Sequence, residues 1–127
     1  HRHYTTITND IIADALAALA MKHADRIYQR NLRIIRTNHQ ILSEWIKDEP
    51  LVEWVPPRAG SVAFVKYNLR IPSKDLCLRL IREKGTLLTP GWCFDMEGYV
   101  RIGYGSKTQT FKTGLSRIKD FFSSCQM

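Results

Sequence analysis

The sequence predicts an α+β fold: a small, mostly antiparallel or mixed sheet with helices packed on one face, preceded by a long or kinked interdomain helix. Three observations lead there. Apolar residues recur at helical spacing from Ile11 to Ile46, and short strand-like stretches bounded by proline and glycine follow it. Two further amphipathic helical stretches lie among and after those strands, giving the order helix, helix, strand, strand, helix, strand, strand, helix.

Thr8-Asn9-Asp10 offers N-cap oxygens for a first helix with Ile11, Ile12, Ala15, Leu16 and Leu19 on its stripe. The register shifts around Met21-Lys22-His23-Ala24. Ile27, Tyr28, Leu32, Ile35, Ile41, Leu42, Trp45 and Ile46 then form a second stripe that stops at Asp48-Glu49-Pro50. One unbroken helix of that length is unusual in a small domain, so two helices or a kink near residue 23 are expected. The first stripe is alanine-rich and apolar on more than one side, as suits an element that packs against another domain.

Residues 51 to 57 alternate and end at Pro56-Pro57, as an edge strand does. After the turn Arg58-Ala59-Gly60-Ser61, the stretch Val62 to Tyr67 is apolar enough for a central strand. Ser73 is the expected N-cap of the next helix, with Leu76, Cys77, Leu80 and Ile81 on its buried face and Gly85 as its C′ residue. Thr86 to Thr89 reads as a short strand closed by Pro90-Gly91, residues 92 to 98 as a loop, and Tyr99 to Tyr104 as the last strand. Ser106 is the expected cap of a final helix that buries Phe111, Leu115, Ile118 and Phe122 and turns Lys107, Lys112, Arg117 and Lys119 to water.

A chain of 127 residues, 44% hydrophobic and 24% charged, has the composition of one soluble globular domain. No apolar run approaches the roughly 18–20 residues of a membrane span, and His1-Arg2-His3 leads into no secretory stretch. Cys77, Cys93 and Cys125 are odd in number and without CxxC spacing, which argues against a disulfide scaffold or zinc site and for a reducing cytoplasm. The four histidines lie in the N-terminal arm and helices, so no metal ligand set and no activator for Cys93 is expected. The net charge of +7 is scattered along the chain, the pattern of solvated helix faces rather than a nucleic-acid stripe. A domain whose acidic counterparts lie on another domain would show the same excess.

The residue with the strongest chemical demand is Arg101, flanked by Val100 and Ile102 in the last strand. A guanidinium stays charged, and leaving one buried without a partner costs several kcal/mol. Its planar fork holds a carboxylate through two parallel hydrogen bonds, which lysine cannot do. Two readings are open: a structural ion pair with Asp95 or Glu97, or a ligand-binding role.

The run Gly85-Thr86-Leu87-Leu88-Thr89-Pro90-Gly91, then Phe94, then Gly98-Tyr99-Val100-Arg101-Ile102-Gly103-Tyr104, resembles the C-terminal signature of class I/II aminotransferases, the fold-type-I enzymes of pyridoxal phosphate (PLP). Thr113 to Ile118, Pro57 to Phe64, the Arg26–Trp45 helix, and Tyr4 to Ile7 followed by Ala15 to Ala20 are similar to further parts of that family, so the likeness covers about residues 4 to 123. The resemblance implies residues 1–22 as the end of the large domain or an interdomain helix, and 23–127 as the small domain. It implies that Arg101 holds the substrate α-carboxylate. Trp92 and Phe94, large apolar rings on the loop between those two stretches, read either as pocket walls or as core packing, with Trp92 the better wall. The Schiff-base lysine, the partner of the pyridine nitrogen and the phosphate-binding residues match nothing here; Ser106-Lys107 imitates the lysine motif but follows Arg101 instead of preceding it.

The expected parent is therefore a cytoplasmic homodimer that binds PLP and exchanges an amino group between amino-acid and keto-acid substrates. This chain alone is expected to be inactive, to bind no cofactor or metal, and to engage no membrane or nucleic acid. Two other functions stay open: a non-catalytic ligand-sensing or interaction domain of aminotransferase type, and another fold-type-I PLP reaction.

Overall fold

The computed structural model describes residues 10–125. By its internal contacts the chain divides into two units, one ending at Arg33 and one beginning at Ile34. The first unit holds helix α1 (Ile11–Lys22) and the opening turns of helix α2 (Ala24–Asp48). Asp10 caps α1, its carboxylate accepting from the Ile12 N–H at 3.0 Å. The break falls at His23, where the sequence changes register, and α2 ends at Asp48 as expected. No residue of α1 is buried, and Ile11, Ile12, Leu16, Leu19 and Met21 are exposed. Tyr4 to Ile7, and the Thr8-Asn9 part of the predicted cap, lie outside the described residues.

The second unit is the α+β domain. Its sheet comprises β1 (Val52–Trp54), β2 (Val62–Tyr67), β3 (Thr89–Pro90) and β4 (Tyr99–Gly103), in the order β1-β2-β4-β3 with every neighbouring pair antiparallel. Helix α3 (Ser73–Lys84) and helix α4 (Thr108–Cys125) complete it. Alternation along the strands sorts the side chains. Ala63, Val65 and Tyr67 of β2 and Val100 and Ile102 of β4 enter the core, where they meet Leu42 and Ile46 of α2, Leu76 and Leu80 of α3, and the apolar stripe of α4. Each of the valine, leucine and isoleucine side chains is worth about 1.5–3 kcal/mol of burial, so the sheet is helix-covered on that face. The opposite face carries Glu53, Phe64, Lys66, Thr89, Tyr99 and Arg101, none of them buried.

Several expectations are corrected. The edge strand occupies 52–54 instead of 51–57, and 86–88 is irregular, so β3 is only Thr89–Pro90. Ser73 does not cap α3: Pro72 holds the cap position, and the Ser73 hydroxyl bonds to Glu97 and Trp92 instead. Ile81 is 42% exposed, because the buried face of α3 runs through Ser73, Leu76, Cys77 and Leu80 and ends before it. Helix α4 starts at Thr108, two residues beyond Ser106, whose carbonyl accepts from Asn38. Phe121 joins the four predicted α4 core residues. Gly85 closes α3 in the left-handed region, φ 62°, as its place after Lys84 predicts.

Asn38 of α2 is fully buried and fixes the exit of β4, donating through Nδ2 to the carbonyls of Tyr104 at 2.9 Å and Ser106 at 2.8 Å. Asn38→Ala leaves both acceptors without their donor and is expected to cost about 1–3 kcal/mol of stability, read from the urea midpoint. An unchanged midpoint would contradict this role.

Candidate functional site

The helix-free face of the sheet is built by the β2–β4 ladder. Register pairs Phe64 with Arg101 and Lys66 with Tyr99, and β3 pairs Thr89 with Arg101 from the other side. Phe64 and Tyr99 stack with ring centroids 5.5 Å apart, and Phe94 meets Phe64 edge-on at 5.4 Å. The Arg101 guanidinium lies over the Phe94 ring at 5.4 Å and donates to the Thr89 hydroxyl at 3.1 Å. It is partly exposed and has no carboxylate partner among the described residues. A cation held by a ring face and one neutral hydroxyl keeps most of its five donors available for an anion.

The structural alternative read from the sequence, an ion pair with Asp95 or Glu97, is not formed. Glu97 is engaged elsewhere: its carboxylate accepts from the backbone N–H of Ser73, from the Ser73 hydroxyl at 2.9 Å and from the Tyr67 hydroxyl at 3.5 Å. The Ser73 backbone bond leads the hydrogen bonds that hold the Glu97 carboxyl below its ordinary range. Asp95 is exposed and turns the chain with φ 55° at the end of a short 3-10 turn, Gly91–Phe94. That turn needs Gly91, since a Cβ there would lie 2.0 Å from the Met96 carbonyl oxygen.

Of the residues singled out in sequence, the structure brings Phe94 to Arg101. Trp92 is half-exposed, with the Lys74 ammonium over its ring at 5.6 Å. Lys107 is exposed ahead of α4. Cys77 is a core residue, and its burial pushes the thiol up to about 11. Thr89, Phe64 and Tyr99 went unnoticed in sequence; period-two alternation assigns them a face only once the strand register is known. A cavity of about 460 Å³ lies between α4 and the Thr86–Leu88 segment and does not include Arg101.

No family model matches the chain. Capreomycidine synthase of Streptomyces vinaceus is 30% identical over 120 residues, which is 94% of this chain and 31% of that protein. A PLP-dependent aminotransferase of Streptococcus suis is 39% identical, with a TM-score of 0.93, over 98% of this chain and 33% of its own. The chain belongs to the PLP-dependent aminotransferase family, as its small C-terminal part. The PLP-dependent cyclase OrfR is 27% identical, with a TM-score of 0.87, over 97% of this chain and 34% of its own. The chain thus spans about a third of the length of these relatives.

This face offers few groups for the aminotransferase cofactor. Its lysine, Lys66, is tied to Glu53 at 2.6 Å, and its other groups are aromatic rings, a threonine and Arg101. These side chains do not by themselves fit PLP; they fit an anion laid against Arg101. Among the described residues no helix is long and apolar enough to cross a membrane.

Glu97 gives a pH prediction. Its folded-state pKa is lowered, so its stabilisation is complete above the unfolded value and is lost as pH falls through the folded one. Stability against urea is expected to decline from about pH 5 downward less steeply in Glu97→Gln than in the native protein. Identical acid limbs would remove Glu97 as a contributor.

Proposed function

We propose that this aminotransferase domain supplies the carboxylate-docking half of a site that transfers an amino group between an amino acid and a 2-keto acid. The observation that carries the reading is the guanidinium of Arg101, without a carboxylate partner among the described residues and steadied by Phe94 and Thr89 on the sheet face opposite the helix-covered core. A substrate carboxylate would meet it through two parallel charge-assisted bonds, which fix direction as well as position. Holding the carboxylate orients the rest of the molecule toward the reacting groups. PLP supplies the electron sink for this chemistry when bound, and in this reading residues outside the chain hold it.

Residues 1–22 are read as the end of the large domain or an interdomain helix, and 23–127 as the small domain. The wholly exposed apolar stripe of α1 supports a neighbour there. Phe94 acts as a wall beside Arg101, and Trp92 faces the substrate side chain or the neighbouring domain. The domain alone is inactive, the parent is a cytoplasmic homodimer, and nucleic acid is not a partner. A second reading has a specific observation behind it: two of the similar proteins bear the names of a synthase and a cyclase, so the same docking can serve another PLP reaction.

In the protein carrying this domain, the amino donor used most rapidly is identified from the standard amino acids with 2-oxoglutarate as acceptor. Arg101→Ala is then expected to raise its KM about a hundredfold or more, as two bonds of about 1.5–3 kcal/mol each are lost. Arg101→Lys restores the charge without the fork and recovers only part of that loss. An unchanged KM in both variants would overturn the docking role.

A further inference from the structure

The loop that carries Phe94 is tied down at both ends by the same buried hydroxyl. Ser73, with no exposed surface, accepts from the Trp92 N–H through Oγ at 3.1 Å and donates through Oγ to Glu97 at 2.9 Å. Its own N–H also reaches Glu97. Residues 92 to 97 are therefore a closed circuit with Ser73 as its clasp. A backbone bond inside the circuit from Asp95 to Trp92 and one from Met96 to Gly91 just ahead of it, each 3.1 Å, set the turn. At its far side, Gly98 accepts from the Tyr67 N–H at 2.9 Å, which fixes the loop's exit into β4.

We propose that Glu97 and Ser73 are positioning residues for the carboxylate-binding guanidinium: they close the 92–97 loop so that Phe94 lies over Arg101. The proposal rests on the docking role given to Arg101 above. Neither residue touches the guanidinium, yet each holds an end of the loop whose middle does. Phe94 itself is 44% exposed and meets the sheet through Phe64 and Arg101, so it has little packing of its own to hold it when the ends are released. Opening the clasp also leaves the buried Ser73 hydroxyl and N–H without Glu97 and so costs stability, which is why the test below includes a readout of the intact core. With the clasp open, Arg101 keeps its charge and its bond to Thr89 but loses the ring that limits its rotamers.

The test uses the protein carrying this domain, with the amino donor identified as above. Glu97→Ala and Ser73→Ala are each expected to raise KM about tenfold with kcat within about twofold, since a displaced binding group loses affinity before it loses chemistry. Because Glu97 acts through Phe94, the double variant Glu97→Ala/Phe94→Ala is expected to have the KM of Phe94→Ala alone. In solution NMR, the Arg101 Nε–H signal is expected to lose its ring-current shift in both single variants, while the methyl signals of Leu42 and Val65 stay in place and report an intact core. Additive KM effects, or an Arg101 signal unmoved by either variant, overturn the proposal. The two ideas fail separately: KM unchanged in Arg101→Ala removes the docking role, whereas KM raised there but unchanged in Glu97→Ala and Ser73→Ala removes only the clasp.

Discussion

The antiparallel pairing of β2 with β4 is the constraint on which the rest of the domain depends. Once Val65 is set opposite Val100 and Phe64 opposite Arg101, alternation leaves no further choice of face. Val100 and Ile102 enter the core, and Arg101 between them must leave it. A slip of one residue would bury the guanidinium and expose both aliphatic side chains, losing several kcal/mol on each count. The buried residues that stabilise the sheet therefore also aim the arginine. Asn38 secures the same strand by holding the carbonyls just beyond it, so α2, the sheet and the site form one mechanical unit within this domain.

The site is shaped more by geometry than by charge. Among the described residues no carboxylate neutralises Arg101; a ring and a threonine steady it, while Glu97 is engaged by Ser73 and Asp95 is exposed. On the reading proposed above, that is the arrangement of a half-site. On that reading the chain, which spans about a third of the length of its relatives, holds the carboxylate-docking group while residues outside it hold the cofactor. The exposed apolar stripe of α1 is consistent with that division.

Much of this was legible in the sequence, and the limits have physical causes. The β2 strand, the end of α2 at Asp48, the break at His23 and the glycine stop of α3 follow from local signals: apolar runs, proline and left-handed glycine. The short β1 and β3 did not, because their pairing length is set by where the partner strands stop. Ser73 illustrates the other limit. A serine ahead of a helical stretch reads as a cap by every local rule, yet its hydroxyl is recruited by Glu97, 24 residues away, and Pro72 takes the cap position. Arg101 stood out by its chemical cost, but whether it pairs with Asp95 or Glu97 turned on where those carboxylates point, which only the folded loop decides.

The most direct measurement of the central claim is a crystal structure of the protein carrying this domain, grown with the keto acid that it accepts. The account predicts the acid's carboxylate in two parallel contacts of about 2.7–2.9 Å with the Arg101 guanidinium. A carboxylate held by other residues, with Arg101 paired to an acid of the protein itself, would contradict it.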